Sequence, residues 1–260
     1  MRIALGVEYN GSHYNGWQYQ DHSPSVQEAV EKALSSVANE KVTVICAGRT
    51  DTGVHASQQV IHFDTETERT DYSWLHGGNS NLPKDISFLW AKHVSDDFHA
   101  RYSATARQYR YILLNRDVRP SYLHGLVSWD FRPMNEKLMH EAAQCLIGEH
   151  DFSSYRAIGC QSKHANRCVN HVNVSRQGDY IYIDIEANAF LYHMVRNIAG
   201  VLMAIGAGEQ PVGWAKEVLE HQDRTKGGVT APPHGLYLTN VIYPPEFKIP
   251  SVKNINVPLL

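Results

Sequence analysis

The feature that most limits what this chain can fold into is an order of apolar segments that occurs twice. Residues 2–9 (RIALGVEY) predict a strand. Ser25 with Glu28 three residues on forms a capping box, and Val26, Val30, Ala33, Leu34 and Val37 behind it share one helical face. Strands are predicted over 41–46 and 55–64, a helix over 70–80 and a strand over 86–94. The second half repeats this order. It has a strand at 109–115, then a helix capped by Asn135 that carries Leu138, Met139, Ala142, Ala143 and Leu146. Strands 168–176 and 180–186 follow around Gly178, then a helix over 191–205, a short helix over 214–221 and a last strand over 235–243.

Each half reads β-α-β-β-α-β, the split βαβ or ferredoxin-like unit. The expected architecture is α+β, with two ferredoxin-like halves whose sheets lie side by side around a central cleft for a large ligand. The expected domains are 1–105 and 106–245, with an irregular tail over 246–260 that holds Pro250 and Pro258. The chain has 260 residues, 43% hydrophobic and 20% charged, which excludes a disordered or fibrous protein. Its four cysteines, Cys46, Cys145, Cys160 and Cys168, have no C-x-x-C spacing, so neither a disulfide framework nor a zinc site is expected. The apolar run at 3–7 is too short for a signal peptide, and the run at 198–208 is too short to span a bilayer. A cytoplasmic protein without a membrane partner is expected.

The net charge is −3, but it is segregated. Residues 98–116 hold Arg101, Arg107, Arg110 and Arg116 without an acid, and 152–178 hold Arg156, Lys163, Arg167 and Arg176 likewise. Residues 64–71 carry Asp64, Glu66, Glu68 and Asp71. Basic segments interleaved with Phe98, Tyr102, Tyr109, Tyr111 and Tyr155 suit a polyanion with stackable groups, so Arg107, Arg110, Lys163 and Arg167 are candidates for phosphate contacts.

The chemistry concentrates in Gly48-Arg49-Thr50-Asp51-Thr52-Gly53-Val54-His55. Gly48 and Gly53 permit unusual backbone geometry and close approach of a ligand. Arg49 could favour the ionised Asp51 or hold a phosphate. An ionised carboxylate in a cleft can serve as nucleophile or base. The same pattern also suits an Asx-turn in which Asp51 caps its own loop.

Seven segments, in order, resemble the TruA family of tRNA pseudouridine synthases. They are Tyr9-Asn10-Gly11-Ser12 with Gly16-Trp17-Gln18, Gly48–Ala56, Asn81-Leu82-Pro83, Phe98-His99-Ala100-Arg101, Arg107-Gln108-Tyr109-Arg110-Tyr111, His193-Met194-Val195-Arg196-Asn197 and Gly235-Leu236-Tyr237-Leu238. The chain departs from the family pattern at Asn10, where Asp is usual, and at Thr52, where Ala is commoner. The resemblance implies isomerisation of uridine to pseudouridine at positions 38, 39 and 40 of the tRNA anticodon arm, by a homodimer with no cofactor. It implies that Asp51 is the catalytic residue, that Tyr109 contacts the target base, and that Arg49 helps open the RNA and hold the flipped nucleotide. It places Leu236 at an apolar position near the base, and Arg196 is expected to pair with Asp51. Whether Asp51 attacks C1′, adds at C6 or removes a sugar proton stays open.

Asp51-Thr52-Gly53 also matches the triplet of aspartic proteases, but those need two carboxylates sharing a proton. No second D-T-G or D-S-G occurs. A non-catalytic RNA-binding module would explain the basic segments but not the 49–53 loop. The 15 histidines are scattered without a metal-binding spacing, and no phosphate-binding G-x-x-x-x-G-K-[ST] loop is present. Trp17 can either stack on RNA or pack its own loop.

Overall fold

The first strand, β1 (Arg2–Tyr9), is apolar on both faces, and both are covered: Ile3, Ala4, Leu5 and Val7 are fully buried. A computed structural model describes residues 1–250 of the chain. After β1 come α1 (Val26–Ala38), β2 (Ile45–Cys46), β3 (His55–Asp64), α2 (Gly78–Asn81) and β4 (Ile86–Val94). The remaining elements are β5 (Ala106–Asn115), β6 (Ser128–Asp130), α3 (Glu136–Ala143), β7 (Gly148–Asp151), β8 (Asn166–Gln177), β9 (Tyr180–Ala187), α4 (Met194–Gly206), α5 (Trp214–His221) and β10 (Leu236–Ile242). The fold is mixed α+β. Its internal contacts group it into two units, Met1–Arg107 with the segment from Tyr237 on, and Gln108–Leu236.

In the first unit β1 runs between β4 and β3, antiparallel to both, with Leu5 opposite Ala91 and Ile61. β2 adds to β3, antiparallel. β10 lies parallel to β3, pairing Tyr237 with His55 and Leu238 with Ala56. Contact grouping places the chain from Tyr237 on with the first unit. α1 starts as expected, with the Ser25 side chain accepting from the Glu28 N–H. The strand expected over 41–46 shrinks to two residues for a local reason. Side chains of α1 take the backbone donors that a ladder would need: Val42 N–H bonds Ser35 Oγ at 2.9 Å and Val44 N–H bonds Glu31 Oε1 at 3.0 Å. The helix expected over 70–80 contains a wide π turn at Ser73–Gly77 before α2.

In the second unit the strand order is β5-β9-β8-β7, with β6 parallel to β5. β6 and β7 were not expected, because Ser-Trp-Asp and Gly-Glu-His-Asp are too short and polar to signal strands. α3 is capped by Asn135, whose side chain accepts from Lys137 and Leu138. α4 crosses it closely, since a Cβ on Gly206 would sit 2.6 Å from Met139 Sδ. α4 begins three residues later than its apolar pattern, because His193 takes a left-handed backbone (φ 59°) at its N-cap. Of the tail expected over 246–260, residues 251–260 lie outside the described residues. Among the described residues no helix is long and apolar enough to cross a membrane.

Candidate active site

The loop carrying Asp51 joins β2 to β3, and β3 explains its shape. β3 is buried along almost its whole length, yet it includes His55, Ser57, Gln58, Gln59 and His62. Buried polar groups need partners, and for Gln59 the loop supplies them. The Gln59 amide accepts from Gly48 N–H at 3.3 Å and donates to Gly48 C=O at 2.5 Å. A side chain thus closes a strand-like pair of bonds at the base of the loop. Ala47 N–H continues the ladder to Val60 C=O at 2.8 Å.

The 9–20 segment holds the other side of the loop. Trp17 N–H donates to Thr50 C=O at 3.0 Å, and Gly53 N–H donates to Tyr14 C=O at 3.3 Å. The Tyr9 hydroxyl lies 2.7 Å from Thr50 Oγ1. Gly11 N–H donates to His55 Nδ1 at 3.0 Å, and the His55 ring stacks on Tyr237 at 4.5 Å. This approach requires glycine at two positions: a Cβ on Gly11 would stand 2.0 Å from Val54 C=O, and Gly16 has φ +87° against Thr50 C=O. Asn10, the departure from the family pattern, accepts from Ser12 N–H through its side chain at 3.0 Å and so closes an Asx-turn. Trp17 is 1% exposed and packs beside Tyr9, which decides in favour of loop packing over RNA stacking.

Asp51 is half-buried at the loop's turn and its carbonyl accepts from Val54 N–H at 3.1 Å. Arg49, two residues back, is exposed. Burial pushes the neighbouring Cys46 thiol up to about 12, so it stays protonated and inert at neutral pH.

Arg107 differs from its expected role. Its guanidinium is buried and donates to the carbonyls of Ala47 (3.1 Å), Arg101 (2.5 Å) and Ala104 (3.2 Å). It braces the start of the Asp51 loop and is not presented to a phosphate. Arg110 is likewise engaged, in a two-pronged ion pair with Asp184 at 2.7 and 3.0 Å over the Tyr182 ring.

Tyr109, Arg196 and Leu236 fall in the second unit. Tyr109 lies on β5, 8% exposed, with the Phe190 ring edge-on at 4.9 Å. Arg196, in the first turn of α4, donates through Nε to Ala231 C=O at 2.9 Å and accepts from Ala231 N–H at 3.1 Å. The next residue, Pro232, accepts through its carbonyl from the Tyr111 hydroxyl at 3.0 Å. Segment 231–236, which ends on the buried Leu236, is therefore strapped to both β5 and α4. Asn197, 1% exposed, secures the same helix by donating to Tyr155 C=O and accepting from Thr230 and Arg224.

Comparison with known proteins gives the chain its family. The family model "tRNA pseudouridine synthase" matches residues 6–103 and 142–244. Relatives named tRNA pseudouridine synthase A are 58% identical in Coxiella burnetii, over 96% of both chains, and 58% identical in Nitrosococcus oceani, over 97% of both. One from Legionella pneumophila is 55% identical over 95% of this chain and 94% of its own. The chain belongs to the tRNA pseudouridine synthase family.

Sequence reasoning missed Gln59 and the bracing role of Arg107, and gave His55 no role of its own. The signal was present: a Gln-Gln pair and two histidines inside an otherwise apolar strand mark polar groups that a loop must satisfy.

Proposed function

We propose that this chain isomerises uridine to pseudouridine at positions 38, 39 and 40 of the tRNA anticodon stem-loop, with Asp51 as the catalytic residue and no cofactor. The observation that carries the reading is the Asp51 loop, clamped at its base by Gln59 and along its side by the 9–20 segment. Such a carboxylate is positioned before substrate arrives, which lowers the entropic part of the barrier.

The reaction breaks the N1–C1′ bond, turns the uracil and joins C5 to C1′. The C5 proton leaves and N1 gains one, so no electrons enter or depart. Asp51 acts on the sugar or the base while the glycosidic bond is open. Tyr109 offers a face to the uracil and a hydroxyl toward the C5 proton. Arg49 holds the RNA backbone beside the extruded nucleotide, at an unstacking cost of a few kcal/mol. Leu236 supplies an apolar wall, and Arg196 pairs with Asp51.

At the architectural level we propose two ferredoxin-like halves around an RNA-binding cleft, in a cytoplasmic homodimer. The strand order β4-β1-β3-β2 of the first unit, antiparallel throughout, supports the first half. The test is to incubate the protein with unmodified tRNA transcripts and map pseudouridine by carbodiimide-dependent primer stops. Stops at 38–40 bear the proposal out, and stops confined to other positions contradict it.

A further inference from the structure

Several arginines of the chain carry a counter-ion. Arg2 pairs with Asp64, Arg110 with Asp184, Arg132 with Asp130 and Glu209, and Arg176 with Glu136. Residues 151–167 of the second unit gather basic side chains that have no such pair among the described residues. The end of β7, the turn at Ser153–Tyr155 and the start of β8 enclose an open depression of about 550 Å³, lined by Asp151, Ser153, Arg156, Lys163, His164 and Asn166.

Arg156 donates to the carbonyls of Cys160 and Ser162 at 3.0 and 2.7 Å. Arg167 donates to Ser162 Oγ at 2.7 Å and to the carbonyls of His164 and Asn166 at 3.1 and 2.6 Å. Two guanidinium groups therefore set the shape of the loop. Among the described residues neither makes an ion pair, and Lys163 and His164, both exposed, make none either. Arg167 Nε is buried without a hydrogen-bond partner. Burial pushes the Arg167 guanidinium below its ordinary value; the neighbouring Cys160 thiol opposes the shift and the charge of Arg156 adds to it. The one carboxylate among the lining residues, Asp151, accepts from Ser153 N–H at 2.8 Å. Packed cations without a counter-ion cost stability, and an anion brought by a ligand relieves that cost.

We propose that the 151–167 depression is a phosphodiester-binding site that grips the tRNA backbone, with Lys163 and His164 contacting phosphates and Arg156 and Arg167 holding the loop and supplying the field. The proposal rests on the tRNA reading above. The basic side chains here suit phosphates and carry no base-edge readout, so the grip is the same for any tRNA sequence.

The test uses the whole chain with Lys163→Gln and His164→Gln combined, and Lys163→Glu as a second variant. Both side chains are exposed and unpaired among the described residues, so the fold is retained. Binding to tRNA is followed by fluorescence anisotropy between 50 and 200 mM salt, beside kcat and KM for pseudouridine formation. The expected result is an affinity loss of about tenfold, a slope of log K against log salt reduced by about 0.7–0.9 per lost contact, a raised KM and an unchanged kcat. A control pair on the first unit, Lys32→Gln with Lys41→Gln, should leave the slope unchanged. An unchanged slope in the Lys163 variants, or an equal loss in the control, overturns the site. If the wild type makes pseudouridine and the slope stays, the site alone falls. If the wild type makes none while the variants still lose tRNA affinity, the enzymatic reading falls and the site stands.

Discussion

Asp51 takes its place from bonds to its neighbours' backbone, and Gln59 supplies the innermost of them. Gln59→Leu leaves Gly48 N–H and C=O without that partner, which costs about 1–3 kcal/mol. The loop would then wander, so kcat should fall about tenfold or more while tRNA affinity holds. Thermal melts with single-turnover rates check this, and a near-normal rate would remove Gln59 from the positioning scheme. Tyr109 separates into ring and hydroxyl. Tyr109→Phe keeps the face on Phe190 and loses the hydroxyl, and Tyr109→Leu loses both. If the hydroxyl takes the C5 proton, the Phe variant should slow by roughly 10²–10⁴-fold. The Leu variant should also lose roughly 1–3 kcal/mol of base stacking. A near-normal Phe variant rejects the proton role, and a near-normal Leu variant rejects Tyr109 as a site residue. At this scale the Asp51 loop was legible, because Gly-flanked charge between two strands has few packing uses. Arg107 was misread because an arginine that binds three carbonyls inside a fold is indistinguishable, in sequence, from one that meets a phosphate.

Among the elements, long amphipathic or apolar segments were legible and short polar ones were not. β3 and α5 match their expected spans, whereas β6 and β7 form through pairing with β5 and β8, which no local pattern announces. β2 was overestimated because Ser35 and Glu31 of α1 compete for its backbone donors. β3 also carries a pH response. His62 accepts from Ala100 N–H at 3.1 Å, and burial lowers it from 6.5 to about 4. Between those values the unfolded chain binds a proton that the folded chain refuses, so stability rises with pH across the window and falls as pH drops from about 6.5 to about 4. The melting temperature should fall by about 3–6 °C between pH 7.5 and pH 5 through this group. His62→Asn keeps an acceptor for Ala100 and cannot titrate, so that part of the fall should vanish. An identical pH dependence in the variant would contradict the assignment.

For the whole molecule, the mixed α+β class was visible in the chain, but the pairing of its last strand with β3 was not. β10 follows the second half in sequence, and its parallel pairing with β3 draws residues from 237 into the first unit. Such pairing joins residues about 180 apart, beyond any window that local periodicity reads. The proposed homodimer belongs to this scale. A chain of 29.4 kDa that grips an anticodon arm leaves much of the tRNA body unsupported, and a two-fold partner could carry it. Light scattering at micromolar concentration should give about twice that mass, and a monomer fully active on whole tRNA would contradict the dimer.

The central claim is that Asp51 performs uridine isomerisation in tRNA, and release of tritium from C5-labelled uridine measures it directly. Wild-type protein should release one tritium for each pseudouridine formed at positions 38–40 without added metal or nucleotide. Asp51→Asn should release none above background while binding tRNA as tightly as the wild type. Tritium release by Asp51→Asn at more than a few per cent of the wild-type rate would contradict the claim.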